Sequence, residues 1–145
     1  MTRIRGNRQV ALICAITLWA ACGSDLPTAP SELTAGIVVY EHPNYRGHWA
    51  HFTNDVSDLK DVDGPCYTSV GYDLYDGSDI ESRWNDCISS VRIAPGWRAT
   101  LFGDANYRGG QLQVTSDIPD LKLVRGSCGS GLNDCISSIR VSRAQ

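Results

Sequence analysis

Apolar positions in this chain form one long run and a series of short ones. The long run, VALICAITLWAA over residues 10–21, is twelve residues without a charge. After residue 36 the apolar stretches are brief and β-rich: GIVVY (36–40), HWAHF (48–52), ATLF (99–102) and GQLQV (110–114). Turn-forming stretches follow the first and third of these, EHPNYRG (41–47) and GDANYRG (103–109). Two more segments, ISSVRI (88–93) and ISSIRV (136–141), alternate. In the first, Ser89, Val91 and Ile93 should face one way and Ile88, Ser90 and Arg92 the other. No long stretch has apolar residues at helical spacing. DVSDLK (55–60) and DIPDLK (117–122) read as single helical turns, the second with Pro119 near its start. The pattern predicts an all-β domain of short strands.

The strands come in two matching sets. At an offset of 62, residues 40–66 and 102–128 share 12 of 27 positions. At an offset of 48, NDCISSVRI (85–93) and NDCISSIRV (133–141) share 7 of 9. The first copy therefore carries 14 extra residues, within the Gly/Asp/Tyr-rich stretch 67–84. Each copy has four expected strands in roughly 50 residues, too few to cover both faces of a sheet alone. The expected domain is thus 36–145, with motif 1 about 36–94 and motif 2 about 97–143.

The N-terminus is a separate object. Arg3, Arg5 and Arg8 precede the 10–21 run, which is short for a bilayer span but suits the core of a signal peptide. It ends in LWAAC, which resembles the bacterial lipoprotein signal, with Cys22 lipidated and becoming the mature N-terminus. A plain cleaved secretory peptide and an uncleaved anchor are the alternatives. Residues 1–22 are then the signal and 23–35 (GSDLPTAPSELTA) a flexible tether. Without the three head arginines the chain keeps 10 basic against 16 acidic residues, a net charge near −6. No basic footprint for nucleic acid remains. The expected location is the cell envelope, tethered to a membrane through Cys22, or outside the cell.

Aromatic, four residues, aromatic, one residue, Gly: this pattern occurs as Tyr40…Tyr45-Arg46-Gly47 and as Phe102…Tyr107-Arg108-Gly109. Each is followed by [N/D][N/D]xx[S/T]S. In that order, in both halves, the motifs resemble the βγ-crystallin superfamily, specifically its microbial calcium-binding branch. The resemblance implies two four-stranded Greek-key motifs packed as one β-sandwich. It also implies that Gly47 and Gly109 adopt a backbone open mainly to glycine. It further implies two calcium sites. One would use Asn85, Asp86, the Cys87 carbonyl and Ser89, with a carbonyl near Gly103. The other would use Asn133, Asp134, the Cys135 carbonyl and Ser137, with the carbonyl of Glu41. Such oxygens suit a hard cation, and their low formal charge implies modest affinity.

Four cysteines lie in the presumed mature domain, an even number that in an exported protein favours disulfides. Three pairings are open. Cys66 and Cys128 are repeat-equivalent, as are Cys87 and Cys135, so symmetry favours Cys66–Cys87 and Cys128–Cys135. Zinc held by all four is disfavoured, since the spacing is not that of CxxC knuckles. His48 and His51, three apart on a strand, read as surface or packing residues. GSCGSG (126–131) lacks the context of a phosphate loop, and Asp73, Asp76, Asp79 and Glu81 read as a solvated acidic loop. No catalytic constellation is evident. The leading expectation is a non-enzymatic calcium-binding module. Its rivals are a peptidase inhibitor of the same fold acting through the 67–84 loop, and an adhesive or matrix protein meeting glycans or another protein there.

Overall fold

A computed structural model describes residue 29 and residues 31–67, 82–126 and 131–145. The head with Cys22, residues 23–28 and 30 of the tether, the acidic residues of the insertion and Cys128 lie outside the described residues. Among the described residues no helix is long and apolar enough to cross a membrane.

The strands are β1 (Ile37–His42), β2 (Arg46–Phe52), β3 (Asp63–Tyr67), β4 (Ser82–Arg83), β5 (Ser90–Ile93), β6 (Trp97–Asp104), β7 (Arg108–Val114) and β8 (Ser138–Arg143). β1 is central in a sheet of order β2-β1-β5, and β6 in a sheet of order β7-β6-β8, with all neighbours antiparallel. The inner faces meet in one core. Ile37, Val39, Val91 and Ile93 of the first sheet join Ala99, Leu101, Ile139 and Val141 of the second, with Leu59 and Leu121 between. The alternation expected of 88–93 holds for Val91 and Ile93, which are buried, and for Arg92, which points outward.

The expected fourth strand of each motif is reduced to one bridge, made with the other motif. Val56 exchanges both backbone hydrogen bonds with Ile139 of β8, and Ile118 does so with Val91 of β5. Carboxylates fix the crossovers: Asp55 Oδ1 accepts the Val141 N–H and Asp117 Oδ1 the Ile93 N–H. The two expected helical turns are 3-10 turns at Leu59–Asp61 and Leu121–Leu123, capped by the side chains of Asp58 and Asp120. Each cap residue is extended, and each turn buries its leucine in the shared core. A short β3–β4 ladder at the ends of the insertion was not expected. His48 and His51 are both exposed on β2.

Candidate cation site

The site is built from two hairpins and two loops. In each hairpin the ladder slips by one residue, between Tyr40 and His42 in β1 and between Phe102 and Asp104 in β6. The extra residue lies on the partner strand, where Gly47 (φ 80°) and Gly109 (φ 77°) take the left-handed form of a glycine bulge. A Cβ on Gly109 would lie 2.6 Å from Asp104 Oδ2, and one on Gly47 would lie 2.8 Å from His42 Cδ2. The residues opposite the bulges, Glu41 and Gly103, thereby drop out of the regular ladder register.

Both hairpin tips carry two further left-handed residues, Asn44–Tyr45 and Asn106–Tyr107. The second serine of each NDCISS segment holds them there. Ser90 Oγ donates to the His42 carbonyl (2.7 Å) and accepts the Tyr45 N–H (3.0 Å). Ser138 Oγ donates to the Asp104 carbonyl (2.7 Å) and accepts the Tyr107 N–H (3.0 Å). The tyrosines then fold back edge-on against Tyr40 and Phe102, with centroids 5.7 and 5.8 Å apart. This is the structural content of the paired aromatics. Sequence reasoning placed Ser90 on a strand face and missed the clamp. The available signal was the invariance of the second serine at the start of both strands.

The first serine of each pair lines the candidate site. Ser89 N–H donates to the Tyr40 carbonyl and Ser137 N–H to the Phe102 carbonyl, so each sits beside the bulge of its own motif, at Glu41 and Gly103. The loops meet face to face. Asp86 N–H donates to the Ile136 carbonyl (3.1 Å) and Asp134 N–H to the Ile88 carbonyl (3.2 Å), with both aspartates left-handed at φ 54° and 53°. Each loop is thereby set against the residue preceding the other loop's serine.

The side chains brought together are not grouped as the two expected sets. Ser137 Oγ lies 3.1 Å from the Gly103 carbonyl and 3.4 Å from Asp86 Oδ1, while Ser89 Oγ lies 3.3 Å from Asp134 Oδ1. The hydroxyls are exchanged between motifs. Asp86, Ser137 and the Gly103 carbonyl form one cluster; Asp134 and Ser89, next to Glu41, form the other. Asn85 and Asn133 each donate their amide to the neighbouring aspartate. Cys87 and Cys135 follow those aspartates. Cys87 is joined to Cys66 as symmetry favoured, with Cα atoms 5.8 Å apart. Cys135 is also disulfide-bonded. Its expected partner, Cys128, lies outside the described residues.

The first cluster fits a cation. Ser137 has one hydroxyl proton, yet two acceptor oxygens face it, so one oxygen pair is left without a hydrogen between them. The buried Asn85 Oδ1 meets no donor. Burial pushes the Asp86 carboxyl up, against the opposing pull of Ser137, Asn85 and Lys60. Burial likewise pushes Asp134 up, against the bond from Ser89, and the nearby Asp86 charge pushes it further. Crowded oxygen acceptors with partly desolvated carboxylates are what a hard cation stabilises. Among the described residues no group of three or more His, Cys, Asp or Glu is placed to hold a metal ion.

Two bulged hairpins, each clamped by a serine from the closing strand, in sheets that share one core and exchange a segment, define a βγ-crystallin domain. The fold superposes on a structure described under the evolution of the eye-lens βγ-crystallin domain fold, with TM-score 0.53, 20% identity and coverage of 81% of this chain and 96% of that one. A βγ-crystallin domain from Flavobacterium johnsoniae is 30% identical, with TM-score 0.50 and coverage of 74% and 93%. In sequence the chain is 29% identical over 108 residues to Spherulin-3A of Physarum polycephalum, covering 73% of this chain and 81% of that protein. The pattern of peptidase inhibitor family I36 matches residues 39–115, just over half of the chain, and the chain belongs to that family.

Proposed function

We propose that this protein is an exported, non-enzymatic module that binds two calcium ions, and that calcium stabilises its sandwich. The observation that carries the reading is the oxygen cluster of Asp86, Ser137 and the Gly103 carbonyl, where one proton faces two acceptors. Asp134 and Ser89 make the related second site, with the Glu41 carbonyl at the position equivalent to Gly103 and the Cys87 and Cys135 carbonyls and the Asn85 and Asn133 side chains as further oxygens. Each ion would take ligands from both motifs, so binding favours the folded state by mass action. At a hundredfold excess over the dissociation constant, one such site contributes about 2.7 kcal/mol. The 10–21 run and Cys22 support export and a membrane tether. The test is thermal unfolding with and without millimolar calcium. An upward shift supports the reading; an unchanged midpoint contradicts it.

Family membership favours a second reading, inhibition of a peptidase. The Cys66–Cys87 bridge closes the segment that contains the insertion, and a covalently closed loop resists the unfolding that proteolysis needs. Inhibition of a thermolysin-type metallopeptidase, lost when the 67–84 segment is cut, is the expected outcome. Calcium would then maintain the scaffold that presents the inhibitory loop.

A further inference from the structure

The first cation loop is held by a covalent bond anchored outside it. Cys87 lies between Asp86 and Ile88, has no exposed surface, and is joined to Cys66 of β3. Among the described residues, the short ladder to β4, the Arg83–Asp63 ion pair and the Trp84 N–H bond to the carbonyl of Val62, just before β3, also connect this region to the loop. Immediately before Cys87, Asp86 holds a left-handed backbone (φ 54°), which a non-glycine residue adopts at a cost. That conformation aims its carboxylate at Ser137 and its N–H at Ile136. The disulfide therefore fixes the residue on the C-terminal side of the one that must stay strained for the cluster to assemble.

We propose that the Cys66–Cys87 disulfide positions the first calcium site, so that its redox state and the occupancy of that site are thermodynamically linked. The inference rests on the calcium reading above. Linkage is reciprocal: if reduction weakens calcium binding by some factor, calcium disfavours reduction by the same factor. The exchange is a thiol–disulfide reaction. A thiolate of an external dithiol attacks the sulfur of Cys66, the less buried residue of the pair, forming a mixed disulfide and releasing Cys87 as the leaving thiolate. The dithiol's second sulfur then displaces Cys66. The protein gains two electrons and two protons as two thiols, and the dithiol becomes a disulfide. Calcium holds Cys87 where it re-forms the bond, and so favours the oxidised side.

The intact protein is equilibrated in graded mixtures of reduced and oxidised dithiothreitol, with calcium or with chelator. Free thiols are then alkylated, and the Cys66 and Cys87 peptides are quantified by mass spectrometry. Saturating calcium is expected to lower the equilibrium constant for reducing this pair about tenfold. Ser137→Ala, which touches the first site, should abolish the protection, and Ser89→Ala should retain it. Reduction that is insensitive to calcium, in protein shown by calorimetry to bind it, overturns the positioning role. So does equal protection in both variants, which assigns the effect to global stability. An absence of calcium binding in the oxidised protein overturns the calcium reading and this inference with it.

Discussion

Adjacent serines in NDCISS should fail in different ways when replaced by alanine. Ser138 has no exposed surface and satisfies two backbone groups of its hairpin, at 2.7 and 3.0 Å. Ser138→Ala orphans the Asp104 carbonyl and the Tyr107 N–H while leaving two left-handed residues to be held by the remaining contacts. An orphaned buried polar group costs about 1–3 kcal/mol. The hairpin tip is half open to water, which recovers part of that, so the expected loss is about 2 kcal/mol in total. For a domain of this size that is a fall in melting temperature of about 10 °C. Ser137 is different. Its bonds are longer, 3.1 and 3.4 Å, and its hydroxyl is only partly buried. Ser137→Ala should cost less than about 1 kcal/mol without calcium, yet remove the stabilisation that the first site contributes with it. Urea unfolding of both variants, in chelator and in saturating calcium, separates the two roles. The reasoning is refuted if Ser138→Ala is neutral, or if Ser137→Ala loses as much in chelator as Ser138→Ala does.

Asp86→Asn should reverse sign with calcium: neutral or stabilising in chelator, because a carboxylate raised by burial is replaced by an amide, and destabilising relative to wild type in calcium, because a ligand charge is lost. The pH dependence follows from the same shift. A carboxyl raised in the folded state favours folding below its unfolded value, and that contribution is lost as pH rises through the folded value. In chelator, the gap between Asp86→Asn and wild type should therefore close on acidification to below the ordinary aspartate range, measured by urea midpoints across pH. Calcium affinity of the wild type should decline over the same acid window, since only the carboxylate binds. Gly109→Ala, at φ 77° with a Cβ placed 2.6 Å from Asp104 Oδ2, should destabilise the second hairpin by at least about 1 kcal/mol in either condition, read by the same unfolding assay.

Much of this fold is local in origin and was therefore legible in the sequence. Alternation in ISSVRI marks Val91 and Ile93 as core residues, although Ile88 and Ser90, expected on the side of Arg92, are buried as well, and the glycines of NYRG mark the bulges because few other residues take those angles. Repeat symmetry was enough to favour Cys66–Cys87, since equivalent loops need equivalent ties. The exchange of Ser89 and Ser137 was not legible. Within one motif each serine follows its own aspartate by three residues, and sequence proximity suggests that they act together. What sends the hydroxyl to the other motif is the docking of the two loops through Asp86 N–H to Ile136 and Asp134 N–H to Ile88, a contact between halves that no local pattern encodes. The reduction of the fourth strands to single bridges has the same origin. Val56 and Ile118 pair across the core with the other motif, where one residue each finds a partner.

Calorimetric calcium titration of the oxidised protein, wild type against Ser89→Ala, Ser137→Ala and the double variant, tests the central claim most directly. Two binding events in the wild type, one remaining in each single variant and none in the double are the predicted result. Heats of binding unchanged by loss of both hydroxyls would contradict the assignment of the site, and a wild type that takes up no calcium would contradict the account itself.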